Sequence, residues 1–200
     1  MKSVIFNTEM VKAILDGRKT QFRKVINNCK NYKYENRLDL TPSCYYAHFR
    51  TENFIPTHRK SKYSLGDILY VKETFQVCKC GFCEACNTYD FGLIFKADYD
   101  DFGNHKVLYT CCEDEMYWKS SNNMPKEYAR IFLKITNVRV ERLQDITWQD
   151  IFKEGFEAKE QFKIPKSWFV NICSSTAKDG YKWKDNPYVF VYEFERVVGV

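Results

Sequence analysis

The chain has 200 residues and a mass of 23.9 kDa, which suits one domain with a sizeable core. Hydrophobic residues make up 44% and charged residues 28%, a composition that excludes disordered, collagen-like and coiled-coil chains. No apolar run approaches the roughly 20 residues of a membrane helix, and residues 1–10 lack the zones of a signal peptide. We therefore expect one cytoplasmic domain with insertions and no membrane partner.

Basic charge is concentrated near the start of the chain. Residues 1–62 contain thirteen Lys and Arg against five Asp and Glu, an excess of eight positive charges, whereas the whole chain carries +5. Such a segment suits an anionic partner such as nucleic acid, a nucleotide or phosphate. A solvated lysine-rich face is the alternative, and the charge count leaves both open.

The first quarter of the chain predicts two strands, a short helix and a long loop. Residues 3–6 predict a strand, and the helix after it begins at the N-cap Thr8 and ends at Gly17. A basic run then enters a second strand. The polar residues 27–62 show no clear period apart from an aromatic piece at 45–49. They predict a long basic loop or insertion.

Residues 68–75 predict a strand because they are rich in β-branched and aromatic side chains. One face of this strand carries Leu69, Val71, Glu73 and Phe75. A carboxylate in line with three apolar residues is locally inconsistent, and such inconsistencies concentrate at functional sites or strand ends. Glu73 is therefore a candidate site residue.

The middle of the chain predicts further strands. Residues 91–97 and 106–110 are weak strands, and residues 129–143 form a long one. Its apolar alternation slips near Asn137, which predicts a bulge.

The last quarter predicts two helices and a closing strand. Thr147 is a helix N-cap and Gly155 ends that helix, while residues 157–173 predict a second helix broken at Pro165. Residues 187–198 alternate as a strand. Separated strands with short helices and no regular βαβ rhythm predict an α+β fold with a mostly antiparallel, barrel-like sheet.

Four cysteines within nine residues form the densest chemical signal in the sequence. Structural zinc takes four soft ligands in a tetrahedron, and short cysteine spacings around a glycine let one loop wrap the ion. The predicted ligands are Cys78, Cys80, Cys83 and Cys86, with Cys111 or Cys112 as alternatives across a hairpin. Reduced thiols in a surface hairpin are the other interpretation.

Two titratable residues stand out by their positions. Glu154 lies beside Gly155 in the last helical turn, where the helix dipole disfavours a carboxylate; burial there would make it a general acid or base. Lys19 lies between Arg18 and Arg23, cations that favour a nucleophilic amine. An exposed glutamate and a solvated or phosphate-binding lysine are the alternatives.

The segment from Ile14 to Arg23 resembles the opening motif of ASCH domains, members of the PUA-like superfamily, in which Gly, Arg, Lys and Thr follow a helix. Similar blocks follow in family order at residues 66–74, 143–155 and 188–194. Three further blocks are similar to the phage- and prophage-encoded branch of the family, at residues 118–120, 124–126 and 183–187.

The resemblance implies one domain over residues 1–200, with insertions at 27–62 and 78–112. Its fold would be a β-barrel of five to six strands with short helices over its ends. A basic cleft would take a nucleobase or a nucleic-acid strand. We expect its ligand contacts to come from Arg18, Thr20, Arg23, Glu73, Trp118, Lys119 and Ser120.

Small bacterial ASCH proteins are acetylcytidine amidohydrolases, and their catalytic lysine and glutamate match Lys19 and Glu154. Both side chains must reach one substrate, so we expect them within about 8 Å of each other. The amidohydrolases carry a Thr three residues after the lysine, where this chain has Phe22. Either Thr20 substitutes for it, or the hydrolase activity is absent.

Three functions follow as hypotheses. The first is binding of a nucleobase-containing ligand, namely RNA, another single strand or a modified nucleoside. The alternative is deacetylation of an acylated cytosine nucleoside by Lys19 and Glu154. The third is a phage-encoded inhibitor of a host defence factor.

The cysteine cluster generates the first prediction. One zinc ion per chain should co-purify, held by at least two of Cys78, Cys80, Cys83 and Cys86, because thiolates at these spacings bind zinc tightly. Elemental analysis after purification without chelators measures it. A folded, metal-free protein would show instead that these cysteines are free thiols.

Overall fold

The computed structural model describes residues 1–29, 32–41, 44–77, 93–99, 118–157 and 164–198. The helices are α1 (Thr8–Leu15), α2 (Trp148–Lys153) and α3 (Pro165–Thr176). Short 3₁₀ turns cover Lys96–Asp98, Ser121–Asn123, Lys126–Tyr128, Leu143–Asp145 and Trp183–Asp185. The strands are β1 (Lys2–Ile5), β2 (Gln21–Val25), β3 (Lys33–Thr41), β4 (Cys44–Arg50), β5 (Pro56–Lys60), β6 (Ile68–Lys72), β7 (Phe75–Val77), β8 (Leu93–Phe95), β9 (Phe132–Arg142) and β10 (Tyr188–Val197).

A five-stranded main sheet has the order β1-β6-β9-β10-β2. Only the β1–β6 pair is parallel among its described pairs. In β10, Val189 and Val191 are buried on one face, and Phe190 and Tyr192 are buried on the other. A strand that is apolar on both faces must be covered on both, which explains its interior position in the sheet.

The two faces of the main sheet bury different cores. One face packs aromatic residues such as Phe22, Phe190 and Tyr192 against α1 and the sheet β3-β4-β5. The other face packs Val189 and Val191 against α2 and α3. The polar residues of β2 and β9 that point to this second face therefore lie beneath helices instead of in solvent.

The predicted α+β class with mostly antiparallel strands is confirmed. Closure into a barrel is not shown, since no described strand pairs with the outer edges of β1 and β2. The bulge predicted near Asn137 is confirmed, because the pairing of β9 with β10 skips Thr136. None of the described helices has the length and apolar character that crossing a bilayer requires.

The prediction that residues 27–62 form a loop is wrong. These residues contain the antiparallel sheet β3-β4-β5, which buries Ala47 and Phe49 of β4 in the main core. The sequence of β3 and β5 shows no clear apolar–polar alternation, because both are polar edge strands. A register shift in β3, where Asn36 has a left-handed φ of 53°, hides it further.

Two helix boundaries also differ from the sequence prediction. Asn7 caps α1 in place of Thr8, because its side chain accepts a 2.9 Å hydrogen bond from the N–H of Met10. Pro165 begins α3 instead of breaking it, since its fixed φ and missing N–H suit a first helical turn. The capping role of Thr147 is confirmed. The strand predicted at 106–110 lies outside the described residues.

Candidate functional site

The segment between α1 and β2 is fastened to the end of α2. The backbone N–H of Lys19 donates to the carbonyl of Ala13 (2.9 Å), and that of Thr20 donates to the carbonyl of Lys153 (2.8 Å). Gly155 has a φ of +101°, and a Cβ there would lie 2.8 Å from the Cβ of Ala13 and 3.2 Å from that of Lys19. Glycine therefore allows the end of α2 to approach Lys19 closely.

This close approach places the side chain of Lys19 on Glu154. Lys19 Nζ donates to Glu154 Oε2 at 2.7 Å and to the Glu154 carbonyl at 3.0 Å. The two residues are only 2% and 7% exposed. The pair lies well inside the distance expected from sequence, and it is buried.

Arg23 adds a second cation to the same carboxylate. Its guanidinium lies 2.5 Å from Glu154 Oε1, 2.7 Å from Glu141 and 3.4 Å from Asp150. Burial alone would lower the pKa of Arg23, but Glu154 and Glu141 outweigh it and raise that pKa above its usual value. Arg23 therefore holds three carboxylates together as a permanent cation.

Arg139 extends the cluster across β9 and β10. It pairs with Asp150 at 2.9 Å, with Glu141 at 3.2 Å and with Glu193. Burial pushes the pKa of Asp150 up, but bonds from Thr147 and the charges of Arg23 and Arg139 hold it below its usual value.

We call this set the buried ion-pair network: Lys19, Gln21, Arg23, Arg139, Glu141, Asp150, Glu154 and Glu193. It holds three cations and four carboxylates, and Lys153 approaches Glu193 at 4.0 Å. Its cations are thus matched by anions. The positive potential expected of a basic cleft is absent within this described cluster.

Helix α3 covers the network. The ring centroid of Phe169 lies 5.6 Å from the Arg23 guanidinium. Burial, reinforced by the charge of Glu154, raises the pKa of the Cys173 thiol to about 12. Cys173 therefore stays a protonated thiol beside the network, a poor nucleophile.

The other predicted residues of the first motif have different surroundings. Arg18 donates to the carbonyl of Gly155 at 2.7 Å and pairs with Asp16 at 2.9 Å. Thr20 is exposed, and its backbone N–H donates to the carbonyl of Lys153. Phe22 is buried in the aromatic core, stacked on Tyr192 with ring centroids 5.0 Å apart. The position where the amidohydrolases carry Thr is thus a core aromatic.

Glu73 belongs to a separate cluster. Its carboxylate, 1% exposed, receives two 2.9 Å hydrogen bonds from Arg130, which also binds Asp98 at 2.8 Å. The Arg130 guanidinium lies 3.9 Å from the ring centroid of Phe95. In the described part of the chain, no hydrogen bond or ion pair joins Glu73 to Lys19. Burial raises the pKa of Glu73, and Arg130 offsets only part of that rise.

Trp118, Lys119 and Ser120 lie beside the Glu73 cluster. Lys119 exchanges two backbone hydrogen bonds with Phe75 (2.8 and 3.3 Å), and the ring of Trp118 meets that of Tyr99 at 5.3 Å. The hydroxyl of Ser120 caps the turn that follows. The predicted ligand contacts therefore divide between two places.

All six predicted zinc ligands lie outside the described residues. Within the described ranges, no group of three or more His, Cys, Asp or Glu side chains is arranged to hold a metal ion. The zinc site stays a prediction.

Sequence reasoning missed five members of the network: Gln21, Arg139, Glu141, Asp150 and Glu193. A signal for two of them was present. In β9, Arg139 and Glu141 alternate with Val138 and Val140, which normally indicates a solvated face. Only the packing of α2 and α3 on that face turns it into a buried one.

Comparison with known proteins found no matching family model, no matching curated protein and no matching solved structure. The ASCH resemblance therefore stays a prediction from the motifs.

The Glu73 cluster generates a prediction about pH. Because the folded state raises the pKa of Glu73, the unfolded chain ionises first as pH rises, and this destabilises the fold. Below the pKa of a glutamate in the unfolded chain, near 4.3, Glu73 is protonated in both the folded and the unfolded state, so the loss of stability vanishes. Glu73→Gln should therefore gain stability relative to the wild type between pH 4 and pH 7, measured by urea unfolding.

A surface carboxylate provides the control for this measurement. Glu195 is exposed and pairs with Lys134 at 3.2 Å, so Glu195→Gln should show little such trend. If the wild type instead gained stability over Glu73→Gln as pH rose, pairing with Arg130 would outweigh burial.

Proposed function

We propose that the protein is ASCH-like and binds a nucleobase-containing ligand at the buried ion-pair network, with Lys19 and Glu154 contacting the base. The supporting observation is the 2.7 Å ion pair between two almost fully buried side chains. Buried ion pairs are often no more stabilising than apolar packing in the same place. Clusters of buried charges are, by contrast, frequent at functional sites.

The pair offers both donors and acceptors to a base. Lys19 Nζ gives two of its three N–H bonds to Glu154, and the described residues leave the third without a partner. Each carboxylate oxygen of Glu154 accepts one bond from a cation and keeps lone-pair capacity. A cytosine edge matches this set, because its amino group donates to Glu154 while its ring nitrogen or carbonyl accepts from Lys19.

Helix α3 lies over the Lys19–Glu154 pair, so a ligand would reach the pair by displacing α3. Of the described side chains in α3, Phe169 alone is buried. Elements with few buried apolar contacts open at lower free energy than core strands. We therefore infer that displacing α3 costs less than disturbing β2 or β10.

The two cations that contact Glu154 favour base binding over hydrolysis. Both carboxylate oxygens of Glu154 accept hydrogen bonds from cations in this geometry, which is the role that base binding needs, whereas a general acid donates a proton to the leaving group. Residue 22 is also a buried Phe, so it supplies no hydroxyl to the site.

Paired variants test the proposal. Lys19→Met and Glu154→Gln should each destabilise the fold, by up to about 3–5 kcal/mol, because each leaves buried charge without its partner. The double variant should recover much of this loss, since Arg23 keeps Glu141 and Asp150. All three variants should lose binding of cytidine and acetylcytidine, measured by calorimetry beside urea unfolding.

The matched control is the exposed pair Lys134–Glu195, changed to Met and Gln together. This control should retain both stability and binding. A folded Lys19→Met/Glu154→Gln protein that bound the nucleosides as the wild type does would refute the proposal.

The second candidate function is deacetylation, favoured by the 2.7 Å contact, which allows direct proton transfer from the Lys19 ammonium to Glu154. The freed amine would attack the acetyl carbonyl, and Glu154 would return the proton to the departing cytosine amine. Water would then cleave the acyl-lysine, so that acetylcytidine and water become cytidine and acetate.

A salt titration beside a deacetylation assay separates the two candidates. Lys24 and Lys62 both lie over the Tyr63 ring, with Nζ atoms 5.6 and 5.3 Å from its centroid. Burial, together with the neighbouring Lys62 charge, lowers the pKa of Lys24. Two adjacent ammonium groups should attract a strand phosphate.

A labelled single strand should therefore bind with a log–log salt slope of roughly 0.7 per phosphate contact. Lys24→Gln and Lys62→Gln should each reduce that slope, while Lys134→Gln should not. Turnover of acetylcytidine with no strand binding at about 50 mM salt would favour the amidohydrolase.

A further inference from the structure

A second concave surface lies on the opposite side of the main sheet. It is a cleft of about 940 Å³ formed by the start of β3, the β4–β5 turn and Arg142. The cleft shares no lining residue with the buried ion-pair network. Successive side chains of a strand point to opposite faces, so Glu141 joins the network while Arg142 lines the cleft.

The cleft presents an aromatic ring to solvent. Phe54 is 73% exposed, and the Arg50 guanidinium lies 5.5 Å from its ring centroid. Tyr32 and Tyr34 line the same cleft. An exposed ring beside a cation is the arrangement on which unpaired bases stack.

The conformation of Phe54 is costly. Its φ is +60°, a left-handed value that is an outlier for a bulky side chain. The turn holds it there: Phe54 N–H donates to the Thr51 carbonyl (3.0 Å), and Ile55 N–H donates to the Thr51 hydroxyl (3.1 Å). Glycine or asparagine would adopt this conformation at lower cost, so the geometry of the turn does not itself require Phe.

Of the four non-glycine residues with left-handed φ in the described ranges, two line this cleft and a third is hydrogen-bonded to a lining residue. Asn36 and Phe54 line it. The carbonyl of Asn186 accepts a 2.9 Å bond from Arg142 Nη1. The carbonyl of Asn28 accepts a 3.0 Å bond from Arg59, whose guanidinium lies 5.7 Å from the centroid of the Tyr32 ring. Phe54 is the costly residue among these, since asparagine tolerates the left-handed region, and a costly conformation held beside a cleft is typical of ligand clamps.

Arginines give the cleft an anion-binding end. The Arg142 guanidinium lies over the Tyr188 ring, 3.7 Å from its centroid, and the described residues leave its Nε and Nη2 without a hydrogen-bond acceptor. Arg50 pairs with Glu35 at 2.5 Å. The charged lining residues are Lys33, Arg50 and Arg142 against Glu35 and Glu52, a positive balance. Planar guanidinium groups match phosphate geometry.

We propose that this cleft is a second ligand site and that it takes a nucleoside phosphate, with the base on Phe54 and the phosphate at Arg142 and Arg50. A free mononucleotide and a nucleotide within a single strand share this chemistry. The site uses none of the network residues, so it stands independently of the function proposed above.

The test uses the full chain carrying Lys19→Met and Glu154→Gln, which removes the two side chains proposed to contact a base at the network. Cytidine 5′-monophosphate should still bind this protein. Adding Phe54→Ala should weaken that binding roughly 5- to 150-fold, the loss of one stacked base. Adding Leu40→Ala, at an exposed apolar residue of β3 outside the cleft, should leave it unchanged.

A second variant tests the phosphate end. Arg50→Gln should weaken binding of the monophosphate and make that binding less dependent on salt, because a phosphate contact is lost, whereas Phe54→Ala should weaken the binding without changing its salt dependence. A short oligocytidine strand measured in parallel identifies the source: tighter binding than the monophosphate indicates a strand, and equal binding indicates a free nucleotide. A monophosphate affinity unchanged by both Phe54→Ala and Arg50→Gln would overturn the proposal.

Discussion

The contact between Lys19 and Glu154 holds the second face of the main sheet together. It joins the turn after α1 to the end of α2, and it forms because Gly155 lacks the Cβ that would collide with Ala13 and crowd Lys19. Once Glu154 is fixed there, Arg23 can bind it from the neighbouring strand. Each further carboxylate of the network is then held by Arg23 or Arg139. Removing one charge therefore leaves several others unmatched, which is why a buried network is costly when incomplete.

The alternation of β2 explains how one strand serves two interiors. Gln21 and Arg23 point to the network, whereas Phe22, which lies between them in the sequence, points into the aromatic core on the other face. Changing residue 22 to a hydroxyl side chain would open a cavity in that core without placing the hydroxyl on the network face. The identity of residue 22 is thus set by packing as much as by chemistry.

The sequence allowed the main strands, the Thr147 cap and the bulge near Asn137 to be predicted, because each rests on local periodicity or capping chemistry. The same reasoning found Lys19 and Glu154, since a carboxylate at a helix C-terminus and a lysine among arginines are local anomalies. It missed the sheet β3-β4-β5, where polar edge strands and the left-handed Asn36 hide the period. It also missed Arg139 and Glu193, whose partial burial depends on tertiary packing. It placed Glu73 and Lys19 in one site, because no local pattern shows that the two residues belong to separate clusters.

The two proposed sites differ in the charge they tolerate. The network has four carboxylates against three cations, so a phosphate placed there would meet repulsion in a region of low dielectric. An uncharged base edge meets no such penalty and can use both donors and acceptors. The cleft on the opposite face has a positive balance and an exposed ring, so it favours a phosphate with its base. Because Glu141 and Arg142 are neighbours on β9, a single strand separates these environments, and the fold can distinguish a nucleobase from a nucleotide by the face to which each binds.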